Sequence, residues 1–172
     1  MIDVLLSFND EIFAFDLSVA EGPQGRDLQG DDGLLTAVFV SLFTDRRAND
    51  DDPLPDERVG VPSDMRGWWG DYIDAEPDLI GSRLWLLWRE KEMPVVVARA
   101  EEYAKESLAW LIRDGHVSQL RVTAHHISKG YLGIGVAALP PDHASDKPLE
   151  WLFTFDYANP TPVSISAPGI WD

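Results

Sequence analysis

Residues 94–139, PVVVARAEEYAKESLAWLIRDGHVSQLRVTAHHISKGYLGIGVAAL, change their hydrophobic period once, and that change decides the fold. In the first half Val97, Ala100, Ala104, Leu108, Leu111 and Ile112 recur at three- and four-residue steps. This predicts an amphipathic helix from about Val95 to Asp114, directly after Pro94. Arg99, Glu102, Glu106 and Arg113 make its solvated face, and Glu101 and Lys105 stand at the spacing of a supportive ion pair. Gly115 falls where a left-handed C-terminal cap is wanted. Beyond it the period is two. Leu120, Val122 and Ala124 alternate with Arg121, Thr123 and His125, Lys129-Gly130 turns the chain, and Leu132, Ile134, Val136 and Ala138 alternate back to Pro140-Pro141. A third strand is expected to put Trp151, Phe153, Phe155 and Tyr157 on one face. That aromatic strand would offer an edge which another chain could extend by main-chain hydrogen bonds.

Upstream, Asp31-Asp32-Gly33 is expected to open a helix running to about Asp45, with an aspartate capping its start and Arg46 and Arg47 at its negative pole. Leu34, Leu35, Val38, Phe39, Val40, Leu42 and Phe43 leave it little polar face, so it should be central to the core or sandwiched between partners. Residues 49–64 are acidic and hold Pro53, Pro55 and Pro62, which reads as an exposed loop. In Arg66-Gly67-Trp68-Trp69-Gly70-Asp71 two adjacent indoles cannot share one face of a regular element, so at least one is expected to find a pocket outside its own segment. Gly81-Ser82 can cap a short helix carrying Leu84, Trp85, Leu87 and Trp88.

At the N-terminus Val4, Leu6 and Phe8, then Phe13 and Phe15, flank Asn9-Asp10 and predict a hairpin. Residues 21–25 read as loop. Pro160, Pro162 and Pro168 predict an extended C-terminal arm without ladder bonds. The expected fold is α+β: an N-terminal hairpin, two main helices plus a short one, and a C-terminal antiparallel meander. One domain is expected over residues 1–157, followed by the arm over 158–172.

Charge narrows the function. Of 172 residues, 30 are acidic and 14 are Lys or Arg, giving a net charge of −16, which phosphate backbones and anionic lipid heads repel. Neither nucleic acid nor a membrane surface is therefore an expected partner. There is no Cys, which removes disulfides and thiolate metal sites. Residues 1–8 carry Asp3 and no basic cluster, unlike a signal peptide, and residues 34–43 fall short of the roughly 20 that span a bilayer.

Four blocks in series carry a resemblance: Gly33 to Val38 with Ser41 to Ala48; Arg66 to Asp71; Gly81 to Leu87; and Ala100 to Ala104 through Trp110-Leu111. Together they resemble the Mu-like phage baseplate wedge family over about residues 28–125. That family is related to the lysozyme-like wedge component of contractile tails and to its counterpart in type VI secretion baseplates. The resemblance implies an α+β scaffold beside the baseplate hub, in several copies, touching larger wedge proteins and helping to initiate the tail sheath. It also implies assembly in the host bacterial cytoplasm and a final place in the virion tail. The wider family carries Glu-Pro-Arg after its long helix. Here Leu111-Ile112-Arg113-Asp114-Gly115 stands instead, so contacts made through that triplet do not carry over.

No residue set calls for catalysis, a cofactor or a metal. The best glycosidase pair would be Asp71 with Glu90, but a cap or loop acceptor beside packed indoles is the simpler role for Asp71. His125 and His126 are adjacent in a strand and face opposite ways. His116 and His143 lack ligand spacing, and Asp50-Asp51-Asp52 lacks that of a calcium loop. The candidate partner-contact residues are Arg46, Arg47, Trp68, Trp69, Asp71, Trp85, Phe153 and Phe155, since arginine and aromatic side chains dominate binding hot spots. For Arg46, Arg47 and the paired indoles, internal pairing and packing are equally open. A structural wedge subunit is the expected function, and an acidic glycosidase acting on the cell wall is the alternative.

Overall fold

A computed structural model of the chain describes residues 3–4, 6–9, 14–17, 19–22, 25–28, 30–31, 34–55, 64–72, 79–88, 90, 93–141, 148–156 and 162–166. Six short strands come first: β1 (Asp3–Val4), β2 (Leu6–Asn9), β3 (Ala14–Leu17), β4 (Val19–Gly22), β5 (Gly25–Leu28) and β6 (Gly30–Asp31). Strands β2 and β3 form the expected hairpin, with Phe8 opposite Phe15. A second hairpin joins β4 to β5, with Gly22 opposite Gly25, and β1 pairs with β6 around both. Residues 21, 22 and 25, expected in a loop, are thus strand residues. A hairpin needs only a two-residue connection, so glycines can close the ladder on either side of it.

The first helix, α1 (Leu35–Phe43), is shorter than expected at both ends. Asp31 pairs with Asp3 instead of capping it, and Asp32 and Gly33 lie outside the described residues. Leu34 stands at the cap position with φ of 63° and no side-chain bond. The arginines are not in the last turn, because Thr44 is already extended and Asp45 bridges to Ser82. Nor is α1 buried all round. Val38 and Leu42 are in the core, while Val40 is 40% exposed.

The second helix, α2 (Pro94–Arg113), matches expectation closely, with proline in its first turn, where no N–H is missed. Ala100, Ala104, Leu108 and Leu111 are buried as the periodicity requires, joined by Val96 and Tyr103, whereas Ile112 is 49% exposed. Gly115 has φ of +77°, and the His116 N–H reaches back to the Leu111 carbonyl at 2.9 Å, closing the helix end.

Strands β7 (Gln119–Ser128), β8 (Tyr131–Leu139) and β9 (Leu149–Asp156) make the expected meander. Val122 opposes Val136, and Ile134 opposes Phe153. Lys129-Gly130 turns the first pair, with a register shift between His126 and Ser128. A fourth strand, β10 (Pro162–Ser166), pairs antiparallel with β9, placing Ile165 opposite Phe153. The proline-rich segment therefore does carry ladder bonds, contrary to expectation. Proline is tolerated because Pro162 is the first residue of an edge strand and the register shifts just after it. Consequently aromatic β9 is not an edge; among the described strands of this sheet, β7 and β10 are. Helix α2 packs on the sheet, and Val38, Leu42, the 84–87 turn, Leu132, Ile134, Val136, Phe153 and Phe155 fill the core between them. Tyr157 lies outside the described residues.

Candidate partner-binding surface

The segment after α1 is extended and held on two sides. The Ser82 N–H donates to the Thr44 carbonyl at 2.9 Å and the Arg46 N–H to the Ser82 carbonyl at 3.0 Å, while the Ala48 N–H donates to Met65 at 2.9 Å. Two glycines permit this closeness. A Cβ on Gly81 (φ +97°) would lie 2.3 Å from the Thr44 oxygen, and one on Gly67 (φ +98°) 2.8 Å from the Arg47 Cβ. Ser82 Oγ adds a bond to the Leu42 carbonyl and accepts the Leu84 N–H at 3.2 Å. A 3-10 turn over Leu84–Leu87 follows, its four residues all buried; Arg83 stands at its N-cap without a side-chain cap bond, and Trp88, expected on the helix, lies just past its end.

Arginines clamp this segment to α2. Arg46, 18% exposed, pairs with Glu106 at 3.3 Å, and its carbonyl accepts the Trp85 indole N–H at 2.8 Å. Arg83 bonds both Asp52 oxygens at 2.9 Å and Glu106 through two nitrogens, and lies over the Tyr103 ring. Burial alone would lower the Arg83 pKa, but its bonds to Asp52 and Glu106 outweigh that and hold it above the ordinary value. Asp52 therefore leaves the solvated run, where Asp50 and Asp51 remain exposed. Residues 56–63 of the expected loop lie outside the described residues. Glu90 pairs with Arg99 at 2.9 Å. Sequence reading missed this network because its partners are 23 and 31 residues apart, beyond any local period.

The turn that follows presents the paired indoles. Arg66 has φ of 51°, a left-handed conformation that is uncommon and strained for a side chain of its size. Its guanidinium bonds Asp45 at 2.6 Å and lies 4.4 Å from the Trp85 ring centroid. Past Gly67 the chain enters a 3-10 turn over Trp69–Tyr72. Trp68 and Trp69 are 41% and 71% exposed, packed against each other with centroids 5.4 Å apart. Neither indole finds the pocket expected for at least one of them. Trp68 instead folds back over its own segment, where a Cβ on Gly70 would come within 2.1 Å of the ring. Asp71 is buried beneath this turn, with the Ile80 N–H 3.5 Å from one oxygen.

The candidate contact residues thus divide. Trp68, Trp69 and Arg47 are exposed, with Asp71 just beneath, while Arg46 is engaged internally. Arg46 is paired internally, with Glu106, and Asp45 is bonded by Arg66. Trp85 is 3% exposed, and Phe153 and Phe155 lie in the core against Phe43. An apolar cleft of about 310 Å³, unforeseen from the sequence, lies between α1, α2 and residues 79–81, lined by Ala37, Val40, Leu79, Ile80 and Trp110. His116 meets the Trp110 ring edge-on at 5.3 Å, and His143 lies outside the described residues. No group of three His, Asp or Glu able to hold a metal occurs among the described residues, and none of their helices is long and apolar enough to cross a membrane.

A phage structural class is where comparison with known proteins leads. Residues 34–145 match the family described as phage protein GP46, and the chain belongs to that family. The match begins at α1 and takes in both helices, the paired indoles, β7 and β8. The chain is 49% identical to the baseplate protein gp46 of Escherichia phage Mu over 118 residues, 69% of this chain and 77% of that protein. It is 33% identical to the Mu-like prophage FluMu protein gp46 of Haemophilus influenzae, also over 118 residues, 68% of this chain and 76% of that one.

Proposed function

We propose that this chain is a structural subunit of the baseplate of a contractile phage tail or tail-like particle. In this reading it sits in the wedge beside the hub, in several copies, binds larger wedge proteins and helps initiate the sheath. The observation that carries it is the 49% identity to a protein named as a baseplate protein. Two adjacent surface indoles on a strained turn support it, since such a display is costly in a free monomer and useful at an interface. The proposed contact residues are Trp68 and Trp69, flanked by Arg47. Assembly takes place in the host cytoplasm and the finished subunit resides in the virion tail. Strand addition, if the sheath uses it, falls to β7 or β10. On β7 the Ala124 N–H already points to the Glu101 carboxylate at 3.3 Å.

The proposal includes no catalytic, cofactor or metal residue. The glycosidase alternative has weaker support, because Asp71 is 7% exposed and Glu90 is engaged by Arg99. Deleting the gene from its own phage or prophage and imaging the particles tests the proposal. Loss of organised baseplates and sheathed tails is expected, with restoration by the intact chain. Normal contractile tails lacking the chain would contradict it.

A further inference from the structure

The turn at residues 68–71 sets an unsatisfied carboxylate beside two open indole rings. Among the described residues Asp71 Oδ2 is buried with no hydrogen-bond partner, and Oδ1 has the Ile80 N–H alone, at the outer limit of a bond. A buried carboxylate oxygen left unpaired destabilises the free chain, so a donor supplied to it stabilises whatever complex supplies it. Two arginines near it in sequence are engaged elsewhere, Arg66 with Asp45 and Arg83 with Asp52 and Glu106. The chain also builds the missing arrangement once within itself. The Arg66 guanidinium lies 4.4 Å from the Trp85 centroid while bonding a carboxylate at 2.6 Å. A net charge of −16 is complementary to a basic partner and speeds its approach.

Resting on the reading of the indoles as a partner contact, we propose that this turn receives an arginine-bearing basic segment of a baseplate partner. One guanidinium lies against the exposed indole faces and bonds Asp71 Oδ2. Arginine fits better than lysine because its planar, weakly hydrated head stacks on aromatic rings while its N–H groups reach a carboxylate. In the complex the Trp68 ring rotates off Gly70, whose missing Cβ is what lets the ring lie over the turn in the free chain.

The test follows the indole N–H resonances of Trp68 and Trp69 in the full chain, assigned with Trp68→Phe and Trp69→Phe. The probes are a capped tri-arginine peptide and its citrulline counterpart, which keeps the shape and loses the charge. Saturable shifts with arginine, at least about tenfold weaker with citrulline, are expected. Asp71→Asn should abolish the arginine response while leaving the other indole resonances in place. If that variant is misfolded, Trp69→Ala decides, with a loss of affinity of about tenfold expected. Equal responses to both peptides, no response to either, or an unchanged response in both variants would overturn the proposal. Co-purification with a wedge protein separates the two levels. If Trp68→Ala/Trp69→Ala still abolishes it after the peptides fail, the contact stands and its basic chemistry falls. If neither matters, the contact itself is gone.

Discussion

From Pro94 to Asp156 the positions that periodicity assigns to the core are largely in it, whereas from Thr44 to Trp88 packing follows contacts that no period announces. In the first region Ala100, Ala104, Leu108 and Leu111 face Val122, Ile134, Val136 and Phe153, all buried at three- or four-residue and two-residue steps. In the second, extended chain is pinned by Ser82 and Met65, arginines bridge distant acids, and two indoles stay outside. Regular elements bury apolar surface through their own geometry. An irregular segment must be fixed by individual polar bonds, and can therefore hold hydrophobic groups out towards a partner. The regular half supplies most of the core, and the irregular half carries the proposed partner surface.

This contrast can be broken deliberately. Phe153→Ala removes a fully buried ring at the centre of the sheet and should cost about 3–5 kcal/mol in urea unfolding, a large part of the stability of an ordinary domain. Gly81→Ala strikes the pinned segment, forcing a Cβ against the Thr44 carbonyl at positive φ. It should cost about 1–3 kcal/mol and speed amide exchange at Arg46 and Ser82. A smaller effect belongs to the junction of α2 and β7. The Glu101 carboxyl is held below its ordinary pKa by its bond to Lys105, with the Ala124 N–H helping against some desolvation. The contribution of a carboxyl so depressed is present above its unfolded pKa and fades as pH falls through the folded value. Glu101→Gln should therefore lower the thermal midpoint slightly at neutral pH and lose that difference in acid. A difference that grows on acidification would contradict the assignment.

The sequence was most legible where one force dominates. Helix α2, its Gly115 cap, the Lys129-Gly130 turn and the alternation along β7 to β9 follow from hydrophobic period and backbone preference. It was least legible where single contacts outweigh averages. Asp31 suits a helix start but is taken by β-pairing with Asp3, and Pro162 argues against a strand until an edge position excuses it. Of the candidate contact residues, aromatic character picked out Trp68 and Trp69 but also Trp85, Phe153 and Phe155, since a ring suited to an interface is equally suited to a core. Only the glycines around Trp68 and Trp69 hinted that these two lie on a turn.

The division between a stabilising half and a docking half is tested most directly by Trp68→Ala/Trp69→Ala, measured for unfolding and for co-purification with the large wedge protein of the same particle. The account predicts a loss of less than about 1 kcal/mol in unfolding free energy, as for surface positions, together with loss of the complex. A destabilisation of several kcal/mol would make the indoles part of the core's closure, and a folded variant that still co-purifies would remove them from the interface.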